Sequence, residues 1–127
     1  MLCRLSFTDI LLFVATFDLL WQSDWMDIEI ERWNSTHTLN PADLKTRLIN
    51  EGYSVRQWSD PAGTKYGPHS HDEDQTHWIL SGALELRVGY EVYTLHPGDR
   101  DFLPANTMHS ATVPGDQAVT YLIGVKH

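Results

Sequence analysis

The chain has 127 residues, of which 42% are hydrophobic and 11% aromatic, enough to bury one ordinary core and too apolar for a disordered segment. Nine Lys and Arg against 17 Asp and Glu leave a formal charge of −8, so nucleic acid or an anionic membrane surface would meet repulsion. Cys3 is the only cysteine, which excludes an internal disulfide and a cysteine metal site and suits a reducing cytoplasm.

In chain order, Ile10 to Phe17 is an apolar run closed by Asp9 and Asp18, far short of the roughly 20 residues that span a bilayer. Arg4 followed by this run has the outline of a secretory signal but lacks a small-x-small cleavage site. Ile10, Phe13, Phe17 and Leu20 have the spacing of an amphipathic helix. A third reading takes Met26 as the start, leaving residues 1–25 as an extension and 26–127 as a single domain, and we adopt this division.

Met26 to Trp33, with Ile28 and Ile30 alternating with acidic residues, predicts a short strand. Asn40 then caps a helix that takes Pro41 in its first turn, has an apolar stripe of Leu44, Leu48 and Ile49, and ends at Gly52. The remainder reads as β: Tyr53 to Ser59, a loop punctuated by Pro61, Gly63, Gly67 and Pro68, then His77 to Leu80 and Leu84 to Val88. Val92 to Leu95 precedes the turn His96-Pro97-Gly98-Asp99, where the Asp99 carboxylate is expected to accept backbone hydrogen bonds. Phe102-Leu103, His109 to Val113 and Ala118 to Val125 complete the strands. Short strands between Gly and Pro turns indicate an antiparallel sandwich or barrel.

His69-Ser70-His71 carries the chemistry. On a strand, residues i and i+2 share a face, so two imidazoles would enter one space as half of a metal site. Alone, the pair reads equally well as two solvated loop histidines. The wider spacing favours the metal. Gly63, five residues, His69, one residue, His71 and ten residues to Gly82 form one motif; Gly98, five residues, Pro104, four residues and His109 form a second.

In these two motifs the sequence resembles a small single-domain type-2 cupin over Tyr53 to Val125. The resemblance implies an all-β fold, a double-stranded β-helix or jelly-roll barrel with one short N-terminal helix. It also implies one divalent metal ion (Zn, Ni, Mn or Fe) on His69, His71 and His109. Three positions depart from the family pattern: Gln75 stands where Glu usually ligates, Asn106 where Gly is usual, and Val113 where the second motif usually ends in Asn. A neutral Gln75 ligand would leave the ion its full charge and make it a stronger Lewis acid. His77, two residues on, is a competing fourth ligand or a second-sphere acid or base sharing the Gln75 face.

The remaining candidates have blander readings. Asp72, Glu73 and Asp74 are most simply solvated. His37, His96 and His127 read as surface residues. Trp58, Tyr66, Trp78, Phe102, Met108 and Tyr121 are cavity or core residues, and counting from His109 places Ala111 and Val113 inside. Nucleophile elbows, phosphate loops and dinucleotide fingerprints are absent. Two functions stay open: a metalloenzyme acting on a small oxygen-rich molecule by Lewis-acid or dioxygenase chemistry, and a non-catalytic metal or small-molecule sensor. Family habit and edge-strand physics imply a homodimer.

Overall fold

The computed structural model describes residues 28–33 and 37–127; the expectations for the 1–25 extension and for Met26 lie outside them. The elements are β1 (Glu29–Glu31), α1 (Pro41–Asn50), β2 (Ser54–Asp60), β3 (Lys65–His69), β4 (Asp74–Ser81), β5 (Leu84–Val88), β6 (Glu91–Leu95), β7 (Arg100–Phe102), β8 (His109–Thr112) and β9 (Val119–Lys126). They form two antiparallel sheets, a five-stranded one in the order β1-β7-β4-β9-β2 and a four-stranded one in the order β3-β8-β5-β6. Strands distant in sequence are neighbours in both sheets. This mostly-β, one-helix architecture is consistent with a jelly roll, although the hydrogen bonding leaves two separate sheets rather than one closed cylinder. Among the described residues, no helix is long and apolar enough to cross a membrane.

The helix begins as its sequence dictates: Asn40 Oδ1 accepts from the N–H of Ala42 at 3.0 Å and of Asp43 at 3.3 Å, with Pro41 in the first turn. Gly52 follows with φ +103°, and its N–H donates to the Ile49 carbonyl at 2.9 Å. Leu44 and Leu48 are buried, whereas Ile49, expected to share their stripe, is 52% exposed. Leu44 and Leu48 lie one turn apart on one face, and the next residue is about 100° further round the cylinder.

The five-stranded sheet has two buried faces. Its inner face meets the second sheet over Ile79, Leu84, Leu86, Val88, Leu95, Leu103, Val119 and Tyr121. Its outer face carries Trp78 and Leu122 against Leu44 and Leu48 of α1. Each such side chain contributes roughly 1.5–3 kcal/mol by burial, so both faces stabilise the fold. Arg100 is buried on the outer face: Nη2 lies 2.6 Å from Glu51 Oε1, Nε donates to Thr76 Oγ1 at 2.9 Å, and the guanidinium carbon sits 4.3 Å from the Phe102 ring centre.

Four sequence expectations change. Lys65–His69 is a strand, not a loop, because it lies at a sheet edge where Pro68 has no ladder bond to lose. β4 starts at Asp74, three residues before His77, extended by pairing of Asp74 to Lys126 and Gln75 to Val125. β1 and β7 are displaced or shorter, Glu29–Glu31 and Arg100–Phe102, because their mutual register bounds both. Asp99 behaves as expected. Its carboxylate accepts from the N–H of His96 and of Trp33 and pairs with Arg32 at 2.8 Å. Burial would raise its pKa, but these partners hold it below the ordinary carboxylate value. Gly98 at φ +94° is irreplaceable there, since a Cβ would run into the Trp33 side chain.

Candidate metal centre

His69 ends β3, and His109, its register partner, begins β8. Pairing alone therefore sets these two imidazoles side by side, with ring centres 4.3 Å apart. His71 does not share a strand with His69 as expected. It lies in the connection beyond β3, where period-2 geometry no longer applies. A different device holds it: the Asn106 N–H donates to the His71 carbonyl at 2.6 Å. Asn106 itself has φ +63°, a conformation glycine takes freely and asparagine tolerates better than most residues. The replacement of Gly by Asn in the second motif is thus compatible with the backbone it must adopt. Val113 is buried in the core and its N–H donates to the Thr64 carbonyl at 2.9 Å.

The outcome is one cluster in which ligand atoms of His69, His71 and His109 all lie within 4.8 Å of one another. Two of the tautomers are set by the backbone. Nδ1 of His69 lies 2.6 Å from the Gly67 carbonyl oxygen, and Nδ1 of His109 lies 2.8 Å from that of Thr107. A carbonyl oxygen only accepts, so each Nδ1 carries a proton, and in the neutral ring each Nε2 keeps its lone pair. Burial and the neighbouring imidazoles hold His71 and His109 below the ordinary histidine pKa, which favours the neutral, ligating form.

Gln75 and His77 lie on the inner face of β4 and both line the cavity, about 280 Å³ in volume, into which the three histidines open. His77 is tied down on one side. Its N–H and Nδ1 both bond the Asp101 carboxylate, Nδ1 to Oδ2 at 2.9 Å, leaving Nε2 as the free ring nitrogen. Burial would lower the His77 pKa, but the charge and hydrogen bond of Asp101 outweigh it and the net shift is upward. Asp72 and Asp74 are exposed, and no member of the acidic triplet belongs to the histidine cluster. Asp74 is not merely solvated: its Oδ1 accepts from the Ala105 N–H at 2.8 Å and ties β4 to the loop before His109.

Ala111 and Val113 are buried, as counting from His109 predicts. Trp58, Tyr66 and Tyr121 line the cavity, Trp78 packs outside against α1, and Met108 is 59% exposed. His37, His96 and His127 are at the surface. Sequence reasoning missed three residues. Asp60, buried, accepts from Tyr66 Oη at 2.8 Å, Tyr121 Oη at 2.9 Å and Trp58 Nε1 at 3.0 Å, fixing one cavity wall. Burial and Asp60 together push the Tyr121 phenol far above its ordinary pKa. Asp101 orients His77, and Arg56 lines the cavity from β2. The available signal was the alternation Arg56, Trp58, Asp60, which places all three on one strand face.

The chain is 33% identical over 89 residues to a mannose-1-phosphate guanylyltransferase of Salmonella muenchen, covering 61% of this chain and 19% of that one. It is 28% identical over 111 residues to a nitrosourea synthase of Streptomyces achromogenes subsp. streptozoticus, covering 87% and 23%. It thus spans about a fifth of the length of these curated relatives. Among solved structures, a cupin-2 domain containing protein from Shewanella frigidimarina superposes with a TM-score of 0.52 at 18% identity, covering 70% of this chain and 94% of that one. Residues 57–125, more than half of the chain and including every histidine of the cluster, match the cupin domain, and the chain belongs to the cupin family.

Proposed function

We propose that this cupin binds one divalent metal ion through His69, His71 and His109, with the Gln75 amide oxygen as fourth donor, and acts on a small oxygen-rich molecule in the adjoining cavity. The observation that carries the reading is the convergence of three imidazoles, two of them with Nδ1 committed to a backbone carbonyl and Nε2 left for an ion. This donor set fits zinc, nickel, manganese or iron. Such an ion supplies a Lewis acid that polarises a bound oxygen.

The chain's own residues supply the rest. Gln75 is neutral, so it does not offset the ion's charge as a carboxylate would, which favours redox-neutral chemistry over oxygen activation. His77, with Nδ1 on Asp101, holds or takes a proton at Nε2. Leu84, Leu86, Ala111 and Ile123 give the cavity an apolar wall that limits water around the ligand. Enzymes among the relatives agree with a catalytic role, but their activities belong to much longer chains. Association of two copies through sheet edges belongs to the same reading, and light scattering on the purified protein tests it.

Elemental analysis of freshly purified protein beside His69→Ala and His109→Ala tests the centre. One ion per chain in the parent and none in either variant is expected. An ion retained by both variants would overturn it.

A further inference from the structure

The cavity wall opposite the histidines carries a charge that the metal centre does not use. Arg56 lies in a row of paired residues across the five-stranded sheet: His77 of β4 pairs with Ile123 of β9, and Ile123 pairs with Arg56 of β2. All three line the cavity. Directly paired residues of antiparallel strands project to the same side, and two strand spacings separate His77 from Arg56 by roughly 10 Å. Arg56, His77 and the three histidines line the same cavity, so a ligand held there can meet the guanidinium and the histidine side together.

Three observations bear on what Arg56 awaits. First, it is the sole Lys, Arg, Asp or Glu among the residues lining this cavity. Second, the Arg56 side chain is exposed but steadied. The guanidinium carbon sits 5.3 Å from the Trp58 ring centre, and the ring is held through Nε1 to Asp60. Third, Asp60, the nearby carboxylate, is engaged by Tyr66, Tyr121 and Trp58. Among the described residues no carboxylate pairs with Arg56, in contrast to Arg32, Arg47 and Arg100. In a chain of formal charge −8, a cavity whose lining holds this guanidinium, no Asp or Glu, and Gln75 in place of a carboxylate has a local charge of the opposite sign, which favours anions.

We infer that Arg56 is a specificity-determining residue that binds the carboxylate of a small organic acid whose second oxygen faces the histidine cluster. The planar fork of the guanidinium matches a carboxylate by two parallel hydrogen bonds, and the apolar wall accepts the body of the acid. This deepens the metal-centre reading and rests on it for the orientation of the ligand, but the Arg56 contact itself does not require the ion.

Calorimetric titration with pyruvate, 2-oxoglutarate and salicylate, each beside its neutral amide, tests the inference on full-length protein with its metal content measured. At least one acid is expected to bind about tenfold or more tightly than its amide. Arg56→Gln should abolish that preference at unchanged metal content, and Arg56→Lys should keep part of it. The same acid-over-amide preference, weaker overall, is expected in metal-stripped protein, so failure of the metal centre is read separately. An undiminished preference in Arg56→Gln, or no preference for any acid in the parent, overturns it. Sodium phosphate as a further titrant identifies the oxyanion: a response to phosphate exceeding every carboxylate overturns the carboxylate assignment.

Discussion

The two sides of the five-stranded sheet both carry polar chemistry, and they treat it in opposite ways. On the outer face Arg100 is enclosed by Glu51, Thr76 and the rings of Trp78 and Phe102, so its charge and its donors are matched. On the inner side, across the cavity, His69 and His109 of the facing four-stranded sheet and His71 beyond β3 are drawn together with Nε2 lone pairs unspent on at least two of them, and Arg56 of β2 lines the same cavity without an acidic partner. The two environments meet on β4 and differ there by one residue of register: Thr76 and Trp78 point out, Gln75 and His77 point in. A saturated buried charge locks helix to sheet, whereas convergent unsaturated donors are free to take a ligand.

The comparison breaks most visibly at Arg100. Arg100→Ala leaves Glu51 without its main partner and a void beneath Trp78, and a loss of about 3–5 kcal/mol is expected in chemical denaturation. Metal bound per folded chain should not change. If the variant instead unfolds at the parent's midpoint, the outer cluster does not lock the helix as argued.

His109→Ala should act in the opposite sense. Metal at about a hundred times its dissociation constant stabilises the parent by about 2.7 kcal/mol, and that increment should vanish in the variant. Metal-free parent and variant should melt within about 1 kcal/mol of each other. A metal-induced shift in melting that survives in His109→Ala would place the ion elsewhere.

Asn106 joins the two motifs at the backbone, and its replacement has a smaller effect. Asn106→Ala at φ +63° is expected to cost about 1 kcal/mol, and Asn106→Gly to be close to neutral. Equal stability of the two variants in urea would mean that the left-handed backbone is not what selects Asn there.

The smallest effect is in pH. The hydrogen bond from Arg100 lowers the Glu51 pKa below 4.5, burial opposes this, and the charges of Arg100 and Arg47 reinforce it. A carboxylate whose folded pKa is depressed adds stability above its unfolded value, here about 4.5, and loses it as pH falls through the folded value. Glu51→Gln should therefore be less stable than the parent at neutral pH, with the gap closing below about pH 4.5. A gap independent of pH would show that the carboxylate charge contributes nothing.

Much of the site is legible in the sequence. The two motifs mark His69, His71 and His109 by spacing, and Asp99 announces its turn by following Pro97-Gly98. His71 was placed for an incomplete reason: it reaches the cluster from a connection anchored by Asn106, thirty-five residues further along the chain, and not by strand alternation. Arg56, Asp60 and Asp101 escaped notice because alternation says only that residues share a face, and the face is known only once the neighbouring strands are.

Local sequence determined what depends on near neighbours: the Asn40 cap, the Gly98 turn, the alternation of β4 and β9, and the grouping of histidines at fixed separations. These follow from backbone sterics and short-range hydrogen bonding, which act over a few residues. Tertiary pairing decided the rest. That Arg56 shares a row with His77, that Asp101 meets His77 across twenty-four residues of chain, and that Arg100 is sealed while Arg56 faces a cavity all depend on which strands lie side by side. Strand order is set by burying both faces of the sheet at once, a property of the whole chain that no single segment contains.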